Sequence, residues 1–294
     1  MLKRRTRRAL LPYLLITPAC VLLALFVYGV VNGVLQGFGI MPFLGRTTPT
    51  IEYYAEALSR PDLSSSIAYS LYLALTSAAL ATVGGVALAW ALTRARSGRA
   101  VQLVGIQIPL MSAHALIATC VISLFAGSGL VARWLFSLGL LGSTTDFPTV
   151  VGATSGWGII LVYLWKEIPF IAFSTVTIMS GISDKLSEAA ATLGASPART
   201  FFSVVLPLSR GAITKAFLIV FAFAFGSYEV PFLLGPTLPK ALPVLAYIEF
   251  TDPDIINRCY AMALNGVAAA ICCVLAIVYF AIVLREEDSH EMRG

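Results

Sequence analysis

Charge is the scarcest property of this chain. Of 294 residues, 20 are Lys or Arg and 15 are Asp or Glu, so 12% are charged, against about 25% in an ordinary soluble domain. Histidine occurs twice. The five cysteines, Cys20, Cys120, Cys259, Cys272 and Cys273, show neither C-x-x-C nor Cys/His metal spacing. They read as small hydrophobes in packed helices, and no metal site is expected. No G-x-x-x-x-G-K-[ST] phosphate loop is present, so any ATP that drives this protein binds to another polypeptide. The net charge of +5 does not point to nucleic acid, because the basic residues are not gathered on one face with aromatics between them. A stand-alone secondary transporter would be expected to show inverted repeats, and residues 1–150 and 151–294 show no convincing similarity. An intramembrane enzyme would need a paired nucleophile and base, whereas His114, Glu167 and Glu229 fall in three different apolar windows.

Apolar residues are abundant. They make up 58% of the chain, with a mean hydropathy of +0.86. A spanning helix needs about 20 mostly apolar residues, and six windows qualify: 10–35, 67–92, 101–126, 153–179, 212–234 and 261–284. The fold expected is therefore an all-α membrane protein of six transmembrane helices, in three parts. Residues 1–66 hold a basic tail, the first helix and an outer loop; 67–284 form a core of five helices; 285–294 form a tail. Lys3, Arg4, Arg5, Arg7 and Arg8 precede the first apolar run as in a secretory signal, but the run is long enough to span. With the N-terminus inside, the inner segments carry fourteen Lys and Arg and the outer loops five. This bias places both termini in the cytoplasm. Gly29, Gly33 and Gly37 have the small-xxx-small spacing of a close helix contact, or of flexible backbone within one bundle. Part of 232–250, apolar yet rich in proline and glycine, is expected to dip back toward the membrane, where irregular backbone must be covered by protein or line a cavity.

The inner loop 180–211 contains SEAAATLGASPARTFFSVVLPL, residues 187–208. It is too broken to span and too regular for a loop. Ser183 or Asp184 is positioned to cap a short helix. Leu186, Ala189, Ala190 and Leu193 form a slim apolar stripe at i, i+3, i+4 and i+7. Gly194 suits the left-handed residue that ends a helix. Ser196–Pro197 reads as an N-cap followed by an N1 proline, and Pro207 as the end of the second short helix. The segment reads as a rigid elbow joined to two spans, suited to mechanical coupling, or as a plain re-entry turn.

EAA at 188–190, then three residues, Gly194, nine residues, and Val204-x-Leu206-Pro207 resemble the EAA signature of ABC-importer permeases, with Val204 in place of isoleucine. LWKEIPFIAFSTVTIMSGISDKL before it and the topology from about 67 to 284 are similar to the same family. The resemblance implies a permease subunit in the inner membrane. It would pair with a second permease, as homodimer or heterodimer, and would bind no cofactor itself. Two cytoplasmic ATPases would hold ATP and Mg, and an external binding protein would deliver substrate. By the same resemblance Glu188, Ala189, Ala190, Leu193, Gly194, Arg199 and Pro207 belong to the coupling segment between helices 4 and 5. Glu188 would pair with a basic residue of the ATPase or with Arg199, or would stabilise a first helical turn.

Ionisable groups within spans are functional candidates by default. Lys166 and Glu167 lie mid-window in the fourth helix, followed by Pro169, and point about 100° apart, so they are no face-to-face pair. They line a cavity, pair across a dimer, or stabilise a helix break. Tyr228 and Glu229 in the fifth window suit a cationic solute by charge and by a cation–π face, or act as a gate or local hydrogen-bond partners. His114, alone after Pro109, reads as a packing residue. Glu249, Asp252 and Asp254 in the last outer loop face solvent or a docked binding protein. FGSYEVPFLLGP, PTIEYYAEALSRPD and SSSIAYSLYLAL look more like the polyamine, iron and thiamine branch of the permeases than the sugar branch. A polyamine such as spermidine or putrescine is the expected substrate, with iron(III), thiamine, phosphonate or a sugar as alternatives.

Overall fold

The computed structural model describes residues 2–94, 99–143, 146–192 and 194–291. Among them the secondary structure is helical, apart from one isolated bridge between Met41 and Arg46. Five helical stretches are long and apolar enough to cross a membrane: Ile16–Gly37, Leu63–Arg94, His114–Ser137, Trp157–Ile182 and Asn257–Tyr279. Two further helices, Pro197–Leu208 and Arg210–Gly226, are bent by 69° and make a sixth span when taken together, as a broken span rather than a re-entrant loop. The six windows thus correspond to five or six spans, and three of them take a different form.

The chain divides into two units. The first comprises 1–60 and 245–267. It holds α1 (Leu2–Gly37), a 3-10 turn at Pro42–Leu44, α2 (Glu52–Ser59) and the beginning of the last helix. The spanning part of α1 is mostly exposed, as befits a helix solvated by lipid, and is covered only near its end at Gly37. Gly33 and Gly37 do serve as contact positions. A β-carbon at Gly33 would touch the Met262 sulfur at 3.4 Å, and one at Gly37 would lie 2.9 Å from the Tyr54 hydroxyl; Gly29 has nothing within 4 Å. Buried Met41 and Cys259 bring their sulfurs to 3.2 Å. Of the acidic residues read as solvent-facing or docking, Glu249 is engaged locally. It accepts from Arg60 at 2.8 Å, and Arg60 also reaches the Tyr260 hydroxyl at 3.2 Å. Asp252 and Asp254 each accept the backbone N–H two residues on, the side-chain turn typical of aspartate.

The second unit comprises 61–244 and 268–294. Its centre is the packing of α3 (Leu63–Arg94) on a 36-residue helix, Trp157–Thr192. Buried Leu73, Ala74, Ala78, Ala81 and Ala89 line α3, and Ile159, Ile160, Tyr163, Ile171, Ala172 and Met179 line its partner. Without a hydrophobic driving force inside lipid, close van der Waals packing of small residues holds such helices together.

The third window, read as one helix over 101–126, is broken. α4 (Arg99–Met111) stops, and α5 (His114–Phe125) starts after Ser112 and Ala113; α6 (Leu130–Ser137) follows. α4 runs through Pro109, whose missing N–H and ring act on the turn before it, and the break follows on its C-terminal side. The Pro109 carbonyl in turn accepts from the Ser112 hydroxyl at 2.6 Å and the Ser112 N–H at 3.2 Å, closing the helix in a tight turn.

The fourth window and the first half of the elbow are one helix, α7 (Trp157–Thr192). The expected start at Ser183 or Asp184 is absent. Both lie mid-helix, where good helix formers follow and nothing breaks the ladder. The fifth window is also divided. α10 (Arg210–Gly226) ends, Ser227 and Tyr228 intervene, and α11 (Glu229–Leu234) begins. Pro231 would clash with the Ser227 carbonyl in a continuous helix, whereas near the start of α11 its missing N–H is not needed. Beyond α11 the irregular stretch 235–241 is only partly covered, with Leu238 63% exposed, and it leads into a further helix, α12 (Leu242–Phe250). Ala241, Leu242 and Val244 are buried, and the Leu242 N–H donates to the Ser70 hydroxyl at 2.8 Å.

Candidate functional site

Two places carry the residues singled out from the sequence, the elbow and a largely apolar cavity among the spanning helices. At the elbow, α7 ends as anticipated. Gly194 has φ +75°, and the Ala195 N–H reaches back to the Ala190 carbonyl at 3.0 Å. This is the Schellman closure that a left-handed glycine permits. Ser196 then caps the next helix, its hydroxyl accepting the Arg199 N–H at 3.3 Å, with Pro197 in the first turn. Glu188, Ala189 and Ala190 lie on the last turns of α7. Leu193 and the side chains of Glu188 and Ala189 lie outside the described residues, as does any Glu188–Arg199 pair.

Past the cap, α8 (Pro197–Thr200) runs into a π-helical turn, Phe201–Val205, and then α9 (Leu206–Leu208). Pro207 does not terminate this helix; it lies inside it. Its missing N–H and its ring disturb the ordinary ladder one turn back, and the Leu206 N–H bonds to the Phe201 carbonyl five residues away. The turn comes two residues later at Ser209, which is fully buried with its hydroxyl unpartnered. Phe201 packs at a tilt against Trp90 with ring centroids 4.7 Å apart, and Arg94 lies 5.0 Å over the same indole. The segment after Gly194 is thus held to the end of α3.

The second place is a cavity of about 260 Å³ lined by Leu110, His114, Lys166, Glu167, Phe170, Ile219, Val220 and Phe223. Lys166 and Glu167 do not pair with each other, in agreement with their angular separation on α7. The Lys166 ammonium donates to the Ser112 carbonyl at 2.8 Å and approaches His114 Nδ1 at 3.3 Å. An ammonium has only donors, so Nδ1 accepts and the ring proton sits on Nε2. Lys166 thereby satisfies a carbonyl freed by the break between α4 and α5, at the helix end where a positive charge is favoured. Glu167 is 4% exposed, and neither carboxyl oxygen has a hydrogen-bond partner. The Tyr163 hydroxyl, also buried and without a well-formed hydrogen bond, lies beside Ser227 at the α10–α11 break. Tyr228 and Glu229 are exposed at that break and do not line the cavity, although Glu229 is within electrostatic reach of both His114 and Lys166.

His114 stacks on Phe223 at 5.0 Å, so the packing role read for it holds. Its contact with Lys166 was not anticipated. Pro109 followed by Ser112 is the sequence signal that marks this break. Replacing Lys166 with methionine keeps the aliphatic stem and removes the donor. The Ser112 carbonyl is then unpaired at a cost of about 1–3 kcal/mol, and the detergent-solubilised variant is expected to melt several degrees below wild type.

Residues 1–286 match the family model described as binding-protein-dependent transport system inner membrane component. The chain belongs to this family. It is a multi-pass inner-membrane permease component of an ABC importer, as the EAA resemblance implied. Among curated relatives, the inner membrane ABC transporter permease protein YdcU of Escherichia coli K12 is 30% identical over 188 residues, 61% of this permease and 60% of YdcU. The diacetylchitobiose uptake system permease protein DasB of Streptomyces coelicolor is 30% identical over 308 residues, 95% of this permease and 88% of DasB. The molybdenum transport system permease protein ModB of Azotobacter vinelandii is 27% identical over 71% of this permease and 88% of ModB. A solved bacterial ABC transporter that imports the acidic polysaccharide alginate has the same fold, with a TM-score of 0.78 over 97% of this chain and 98% of that one, at 18% identity.

Proposed function

We propose that this permease pairs with a second permease subunit to form the translocation pathway of an importer driven by a separate ATPase dimer. ATP and Mg are held by the ATPases, and an external binding protein supplies the substrate. One observation carries this reading. The EAA residues end a helix continuous with a membrane span, and Gly194 and the Ser196 cap set a fixed corner before a bent second span. Force applied to residues 188–200 therefore acts on two spans. The Lys and Arg bias supports cytoplasmic termini and a cytoplasmic elbow. Glu188, Ala189, Ala190, Leu193, Gly194, Arg199 and Pro207 form the coupling segment in this reading.

For the substrate, exposed Glu229 beside exposed Tyr228 supports a cationic solute, of which a polyamine is the simplest. The relatives named for molybdenum and diacetylchitobiose favour a second reading, an oxyanion or a short oligosaccharide. Uptake of labelled spermidine, molybdate and chitobiose by cells carrying or lacking the transporter separates the two. On the polyamine reading, Glu229→Gln removes one solvated charge contact worth about 0.2–1 kcal/mol. Half-saturation for spermidine is then expected to rise up to about fivefold. Unchanged half-saturation removes Glu229 from the pathway.

A further inference from the structure

The cavity beside α7 holds an unexplained group. Glu167 is 96% buried by its 4% exposure; the residue lines the cavity, and both of its oxygens lie just behind the wall without partners, so that a turn of the side chain brings them to a ligand. A buried carboxyl in that condition is costly, and native structures resolve it with a hydrogen-bond donor or a counter-ion. The one cation on the cavity wall, Lys166, is turned to Ser112 and His114. The remaining wall consists of two phenylalanines, Phe170 and Phe223, with Leu110, Ile219 and Val220. A carboxyl, two aromatic rings and an aliphatic wall together are complementary to an ammonium group on a hydrocarbon stem.

We infer that this cavity binds the ammonium end of an alkylamine solute, with Glu167 as its counter-ion. The inference deepens the importer reading and rests on it for the solute's route to the cavity. Size agrees with a chain end. About 260 Å³ far exceeds the ~30 Å³ share of one water and lies below the ~300 Å³ lower bound of pockets that enclose a whole drug-sized ligand. Charge also selects. Glu167 on the wall and Glu229 within electrostatic reach of Lys166 and His114 oppose a dianion, and the Lys166 donors are largely engaged. A sugar would find few polar partners here. Lys166 disfavours a cation at its own side of the cavity, which places the ammonium toward Glu167 and the stem against Phe170 and Phe223.

The test uses the full-length chain purified in mild detergent and followed by thermal unfolding with n-butylammonium chloride, n-butanol or sodium sulfate at matched ionic strength. Butylammonium is expected to raise the melting temperature saturably, since a ligand that binds only the folded state stabilises it. Butanol and sulfate are expected to do neither. The near-isosteric Glu167→Gln variant is expected to lose the shift, and Glu56→Gln, an exposed residue outside the cavity, to keep it. If Glu167→Gln yields no folded protein, Phe170→Leu serves instead, with the half-saturating butylammonium concentration expected to rise several-fold. Equal shifts in wild type and the cavity variant, no shift in wild type, or a larger shift with sulfate would overturn the inference. A preparation that retains an ATPase but ignores butylammonium removes this site and keeps the importer reading. One that binds butylammonium but never retains an ATPase does the reverse.

Discussion

Replacing Gly194 with valine is expected to lower substrate uptake about tenfold while the protein still inserts in the membrane. Gly194 sits at φ +75°, and a β-carbon there would meet no atom within 4 Å. The effect is therefore conformational rather than steric. A side chain in the left-handed region costs roughly 1–2 kcal/mol, and β-branching places valine at the upper end. About 1.4 kcal/mol is a tenfold change in the population of the corner. Because the Ala195–Ala190 hydrogen bond and the Ser196 cap lie on either side of this residue, a corner that relaxes loosens α7 from the following helix. Gly194→Asn, which tolerates this conformation better, should recover much of the uptake. Membrane abundance and uptake measured on the same cells separate insertion from coupling, and normal uptake by the valine variant would deny the corner a coupling role.

A second large effect is expected at Gly85, where α3 meets α7. A β-carbon would lie 2.6 Å from the Ile171 β-carbon, 2.8 Å from its γ2 methyl and 2.9 Å from the Ile168 carbonyl oxygen. None of these is the tip of a flexible side chain, so the two helices must separate. Overpacking of this kind costs about 1–3 kcal/mol, and the loss falls on the main helix pair of the second unit. Gly85→Val is expected to lower folded yield in detergent sharply and to melt well below wild type. Gly85→Ala should have a smaller effect, partly relieved by Ile171→Ala, which removes the γ2 methyl, a coupling expected only of residues in contact. Wild-type melting by Gly85→Val would show that this contact does not hold the pair together.

The number of spans and the elbow were legible in the sequence because each has a local cause. Long apolar windows with few charges leave a helix as the form that satisfies its backbone in lipid. Gly194, Ser196 and Pro197 have conformational preferences that act over two or three residues, and the turn they predict is the turn observed. Breaks were less legible. Pro109 and Pro231 each stand within an apolar window that averages to a single span. Pro231 disrupts its helix four residues back, at Ser227–Tyr228, whereas α4 runs through Pro109 and breaks after it, at Ser112–Ala113. The opposite error occurred at Ser183 and Asp184. Their capping ability is overridden because the helix arriving from Trp157 has nothing to stop it. Pro207 behaved differently again, since a π-helical turn absorbed it and deferred the bend to Ser209.

The cavity was half legible. Lys166 and Glu167 stand out as charges in an apolar window, and their spacing argues against an ion pair. That Lys166 turns to the carbonyl of Ser112, 54 residues earlier, depends on how α4, α5 and α7 pack, which no local pattern encodes. Phe170 and Phe223 are likewise ordinary apolar residues until tertiary packing brings them to one wall.

The most direct test of the account is a pull-down of the tagged full-length chain in mild detergent, with mass identification of every retained protein. The importer account predicts an ABC ATPase with the wild-type chain, together with a second permease or a second copy of this one. It also predicts less ATPase with the Gly194→Val variant at equal bait. A chain that is retained alone and moves solute into liposomes without ATP would contradict it.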